Sequence, residues 1–146
     1  MAEMLKNFKK RLTHFVEYDI IMQNNELEEK GMTNYEKVTA LLRDLGIPPH
    51  IKGYHYLREA ILLAAENPLI INSITRELYP VVAAQFETMP TRVERAMRHA
   101  IEAAWYKGNK KLVKLFEGVT NSKPANSLFI ALLAEDIRME AGSDGN

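Results

Sequence analysis

Apolar residues recur at intervals of three and four along almost the whole chain, and no stretch alternates with a period of two. That pattern predicts helices throughout and no sheet. Leu5, Phe8, Leu12, Phe15 and Met22 fall at heptad spacing, widened by Val16 and Ile20 and interrupted at Asp19. They predict an amphipathic helix from about Ala2 to Glu29 whose apolar stripe is about 25 Å long. Gly31 breaks it.

Six further helices follow. Thr33-x-x-Glu36 has the form of a capping box and opens a helix that buries Val38, Leu41, Leu42 and Leu45 before Gly46 and Pro48-Pro49 stop it. The next spans about Gly53 to Glu66, with Leu57, Ile61 and Ala64 on one face, and ends before Asn67-Pro68. A third covers about Asn72 to Phe86, where Pro80 either kinks it or starts a separate piece. Thr91-x-x-Glu94 predicts a second capping box at the head of a helix reaching about Tyr106, with Gly108 beyond it. Trp105 and Tyr106 are expected to cap the core beneath this helix. A short helix from Lys110 to Phe116 ends at Gly118, and the last runs from about Pro124 to Glu140 with Leu128, Ile130, Leu132, Leu133 and Ile137 inward. The expected organisation is an amphipathic helix and hinge over 1–32, an all-α domain over 33–140, and a disordered tail over 141–146.

Composition narrows the chemistry. The chain has 146 residues and no cysteine, which excludes disulfide frameworks, thiolate-held metals and thiol catalysis. Its longest apolar runs are far shorter than the roughly 20 residues a membrane span needs. No apolar export segment follows the basic residues near Met1, so a cytoplasmic protein is expected. His14, His50, His55 and His99 form no H-x-x-x-H pair, no serine lies in a Gly-x-Ser-x-Gly elbow, and the glycines are scattered singly. No enzyme, metal site or cofactor is expected from these residues.

Charge changes the picture more. Nineteen basic and nineteen acidic residues cancel over the chain, yet they are segregated. Residues 91–114 carry Arg92, Arg95, Arg98, Lys107, Lys110, Lys111 and Lys114 against only Glu94 and Glu102. Residues 17–36 carry Glu17, Asp19, Glu26, Glu28, Glu29 and Glu36 against Lys30. Such polarity makes a local field that a polyanion feels even at zero net charge.

The basic segment coincides with a helix-turn-helix spacing between Leu78 and Trp105, with Val82, Ala83 and Phe86 facing Val93, Ala96 and Met97. At about 100° per residue from Arg92, the residues Val93, Met97, Ala100, Ile101 and Ala104 share one arc. Thr91, Arg95, Arg98, His99 and Glu102 share the opposite one with Arg92. Arginines on the first turn of such a helix match guanine O6 and N7, and Glu94 can accept from a cytosine amino group. The alternative for the same residues is a solvated amphipathic face.

Two long motifs carry a family resemblance: Pro48-Pro49-His50-Ile51-Lys52-Gly53-Tyr54-His55-Tyr56-Leu57-Arg58-Glu59-Ala60-Ile61 and Thr91-Arg92-Val93-Glu94-Arg95-Ala96-Met97-Arg98-His99-Ala100-Ile101-Glu102. Over about Asn34 to Glu140 the chain resembles the C-terminal effector domain of the stage-zero sporulation response regulator of endospore-forming bacteria. The resemblance implies a six-helix domain that binds double-stranded DNA and regulates sporulation genes. It implies base contacts at Arg92, Glu94 and Arg95 and backbone contacts at Arg98 and His99, with Thr91 beside them. Lys107, Lys110, Lys111 and Lys114 are either a solvated face or extra phosphate contacts.

Two departures from the family stand out. Met1–Met32 is too short for the phosphoacceptor receiver that precedes the effector in the family, and the Leu115–Pro124 loop is shorter and follows a more basic helix. In the family this neighbourhood helps contact the RNA polymerase sigma subunit. The expected function is sequence-specific DNA binding, with homodimerisation through Leu5, Phe8, Leu12, Phe15 and Met22. The alternative is a protein-interaction module acting on a full-length regulator or sigma factor.

Overall fold

The computed structural model describes residues 31–144, with side chains described to Glu140. The amphipathic stripe from Leu5 to Met22, and the homodimer expected from it, lie outside the described residues. Among the described residues the fold is entirely helical: α1 (Asn34–Asp44), α2 (Lys52–Glu66), α3 (Tyr79–Gln85), α4 (Pro90–Tyr106), α5 (Lys110–Leu115) and α6 (Asn126–Asp144). The expected last helix therefore extends past Glu140, into the segment expected to be a disordered tail. The chain from Val38 onward packs as one compact unit.

Helix α1 begins on the predicted capping box. The Thr33 amide donates to Glu36 Oε2 at 3.0 Å, and the Glu36 amide donates to Thr33 Oγ1 at 3.2 Å. It ends at Gly46, whose φ of +81° places it in the left-handed region. Its amide and that of Ile47 then close the last turn onto Arg43 and Leu42.

The second predicted box does not form. Helix α4 starts two residues early, with Met89 as its cap in place of Thr91 and Pro90 at its first position, and no side chain caps it. Proline already holds the φ of a first helical turn and has no amide to satisfy there. Thr91 is drawn inside the helix, and its hydroxyl does not serve as a cap.

Between α2 and α3 the chain is helical but irregular. Pro68–Ser73 form a 3₁₀ turn and Ile74–Leu78 a π turn that runs directly into α3. The proline ring at Pro80 clashes with the carbonyl four residues back and offers no N–H, so the preceding turn widens. The Tyr79 amide bonds Ile74, five residues back. Pro80 thus starts a separate α-helical piece on a continuous helical path.

The core takes Val38, Leu42, Leu57, Ala60, Ile61, Ala64, Leu78, Val82, Met97, Ile101, Leu112, Ile130 and Leu133, all fully enclosed. Phe116 and Phe129 stack at 5.9 Å between centroids and close the end beneath α5. Helix α2 runs through the centre and packs on both α4 and α6. Trp105 packs against this core, but Tyr106 is 75% exposed and caps nothing. One position past Trp105, the helix has turned Tyr106 toward solvent.

Candidate nucleic-acid interface

Helices α3 and α4 are joined by four residues, Phe86 to Met89. The turn closes as a Schellman motif: the Thr88 amide donates to the Ala83 carbonyl at 2.9 Å and the Glu87 amide to Ala84 at 3.4 Å. Glu87 occupies the left-handed position at φ +52°. Val82 and Ala83 are buried in the seam, while Phe86 is partly exposed and meets Tyr56 edge-on at 5.0 Å. This is a helix-turn-helix with α4 as its second helix.

The angular reading of α4 holds on its inner side. Val93, Met97, Ala100, Ile101 and Ala104 are all buried. On the outer side Thr91, Arg92, Arg95, Arg98 and His99 are exposed, and Glu94 and Glu102 are half-buried. Glu94 and Arg98 form an i,i+4 ion pair, Oε1 to Nε at 3.7 Å. The structure therefore gathers Thr91, Arg92, Arg95, Arg98 and His99 on one open face and turns the Glu94 carboxylate to its edge.

The lysines beyond α4 are placed elsewhere. Lys107 lies about 22 Å along the helix from Arg92 at 1.5 Å per residue, and Lys110, Lys111 and Lys114 follow it on α5. All four are exposed, and Lys111 faces Asp44 at 3.8 Å. They form a separate basic end, not an extension of the Arg92–His99 face.

Several residues that hold this face in place have no signal in the helical pattern. Asn126, only 8% exposed, donates from Nδ2 to the Tyr79 hydroxyl at 3.1 Å and to the Glu94 carbonyl at 3.0 Å. It thereby ties α3, α4 and α6 together. Burial raises the Tyr79 hydroxyl pKa, and the bond from Asn126 opposes the shift. Lys123, on the loop before α6, pairs with Glu102 of α4, and its hydrogen bond draws the Glu102 pKa down. Gly53 lets α2 lie directly on α4, since a Cβ there would stand 2.2 Å from the Ala96 carbonyl oxygen. An isolated glycine just inside a helical pattern is the one available hint of such close approach.

Among the described residues no three His, Asp or Glu side chains are grouped to hold a metal, and no helix is long and apolar enough to cross a membrane. The family model described as "Sporulation initiation factor Spo0A C terminal" matches residues 38–137. The chain belongs to this family, which makes Val38–Ile137 a sporulation-related, DNA-binding transcription factor domain.

Proposed function

We propose that the chain binds double-stranded DNA sequence-specifically and regulates sporulation-related genes, with α4 in the major groove. Arg92 and Arg95 read guanines, Glu94 accepts from a cytosine amino group, and Thr91, Arg98 and His99 meet the backbone. The observation that carries this reading is the open face of α4, where Arg92, Arg95, Arg98 and His99 are exposed directly behind a closed helix-turn-helix turn. Glu94 has to leave Arg98 to reach a base, so its contact is exchanged for the one it makes in the free protein.

The test is a binding series on the full chain against a duplex it selects from a random library and against a scrambled duplex. Arg95→Ala is expected to cost about 1–3 kcal/mol at one base pair and to relax preference there. Arg98→Ala is expected to weaken both duplexes alike and to flatten the salt dependence by about 0.9 in log–log slope. Equal weakening of both duplexes by Arg95→Ala removes the base-reading role. Absence of duplex binding by the unaltered chain favours the protein-interaction module instead.

The basic end supports a second part of the reading. Because Lys107 lies about 22 Å along the helix axis from Arg92, and Lys110 and Lys114 follow it exposed on α5, they stay reachable while the first turn of α4 is occupied. We assign them to flanking phosphates, and the neighbouring loop, where Val119 is 50% exposed, to contact with the polymerase sigma subunit. Lys110→Ala should weaken only duplexes extended beyond the selected box.

A further inference from the structure

Gly53 and Asn126 mark two flanks of α4. Gly53 lies against Ala96 and Ala100 on one side, and Asn126 bonds the Glu94 carbonyl on the other. The exposed Arg92, Arg95 and His99 lie between these flanks. A groove opens along each. One, of about 370 Å³, is lined by Glu94, Arg98, Lys123 and Ser127 among others. The other, of about 300 Å³, has Lys52, His55, Glu87 and Arg92 on its walls beside the Tyr56–Phe86 ring pair.

The dimensions of a duplex give these grooves a meaning. An α-helix with its side chains is about 10–12 Å across, and the major groove of B-DNA is about 12 Å wide. A helix seated there has a phosphate strand along each flank. Arg98 stands on the first flank. The second has no residue assigned to it, although its groove shares Arg92 with the base-reading row and so adjoins it directly.

The chemistry of that second groove suits a phosphate. Lys52 is an exposed cation at the first position of α2, where the helix dipole adds partial positive charge. Arg58 Nη2 donates to His55 Nδ1 at 3.1 Å, so the proton of the neutral ring sits on Nε2 and makes that atom a donor. Burial, with the Arg58 charge, lowers the His55 pKa and favours that neutral ring. Glu87 is the one acid on the lining, against Lys52 and Arg92. We propose that Lys52 and His55 hold a backbone phosphate of the DNA strand opposite the one that Arg98 meets. Helix α2 is then a third DNA-contacting element beside the helix-turn-helix. This inference rests on the DNA-binding reading above.

The test uses the full chain, the selected and scrambled duplexes, and salt from about 50 to 200 mM, with circular dichroism confirming that each variant folds. Lys52→Gln should weaken both duplexes by the same factor, leave base preference unchanged, and shrink the affinity lost over that salt range by about 3.5-fold, the effect of one phosphate contact. His55→Leu should weaken both duplexes without changing the slope, and His55→Gln, which keeps a donor, should restore most of the loss. Phosphate-ethylation interference should show Lys52→Gln and Arg98→Ala relieving positions on opposite strands. An unchanged slope for Lys52→Gln while Arg98→Ala lowers it overturns this inference and leaves the DNA reading standing. Relief on the same strand, or wild-type affinity in His55→Leu, also overturns it. Failure of the unaltered chain to bind either duplex overturns both.

Discussion

At the scale of single residues, two threonines in the same sequence context have different roles. Thr33 and Thr91 each precede a glutamate by three positions, yet only Thr33 caps its helix, because Pro90 has already started α4. Thr33→Ala should therefore cost about 1 kcal/mol in a thermal or urea melt. Thr91→Ala should leave stability nearly unchanged, and an equal loss from both would show that Thr91 caps after all. Glu87 poses the opposite case, a bulky residue at φ +52° where turns of this kind favour glycine. The left-handed conformation costs a non-glycine residue about 1–2 kcal/mol, and glycine's extra chain entropy offsets about 0.5–1 of it. Glu87→Gly should raise stability by about 0.5–1 kcal/mol, read from the urea midpoint at unchanged slope; destabilisation would mean that Glu87 makes a compensating contact. The capping residues were legible in the sequence as types, but which threonine caps depended on where proline fixes the first turn.

At the scale of elements, periodicity located α1, α2, α4 and the start of α6 because each buries one broad stripe, and burial is what the pattern records. It also separated the two faces of α4 correctly, residue by residue, on the buried side. What it could not show is how α4 is aimed. That depends on Gly53 beneath Ala96, on Asn126 bridging Tyr79 and the Glu94 carbonyl, and on Lys123 reaching Glu102. These contacts join residues 21 to 47 positions apart, through polar atoms or a missing side chain, so hydrophobic spacing carries no trace of them. The same holds for the π turn before Pro80, whose sequence cue is a proline that fits a kink as well as a new start. Gly53 is the sharpest test of the packing. Because the obstacle is backbone and not a flexible side chain, Gly53→Ala must push α2 off α4, and overpacking of this kind costs about 1–3 kcal/mol. Its expected signature is a lower melting temperature together with weaker DNA binding. A stable variant with normal affinity would mean that α2 does not fix the position of α4.

At the scale of the whole molecule, the charge segregation visible in the sequence resolves into two basic regions with different surroundings. The Arg92–His99 face is flanked by grooves and held by the buried Asn126 side chain, whereas the four lysines of the Lys107–Lys114 end are solvent-exposed, Lys111 facing Asp44 in a long, open pairing. A single reading face of this kind grips one DNA box, and two faces held together grip adjacent boxes far more tightly through effective concentration. We propose that the stripe of Leu5, Phe8, Leu12, Phe15 and Met22 is the means of holding two together. Leaving several such side chains in water would cost several kcal/mol at about 25 cal/mol per Å², so the stripe requires a surface. We propose that this surface is the same stripe on a second copy. Sedimentation equilibrium of the full chain at tens of micromolar should then give a dimer. A Leu12→Lys, Phe15→Lys variant should give a monomer that still melts cooperatively and binds a single box, but loses the added affinity for a pair of boxes. A full chain that sediments as a monomer would end the dimer and leave the stripe to cover a surface within its own chain.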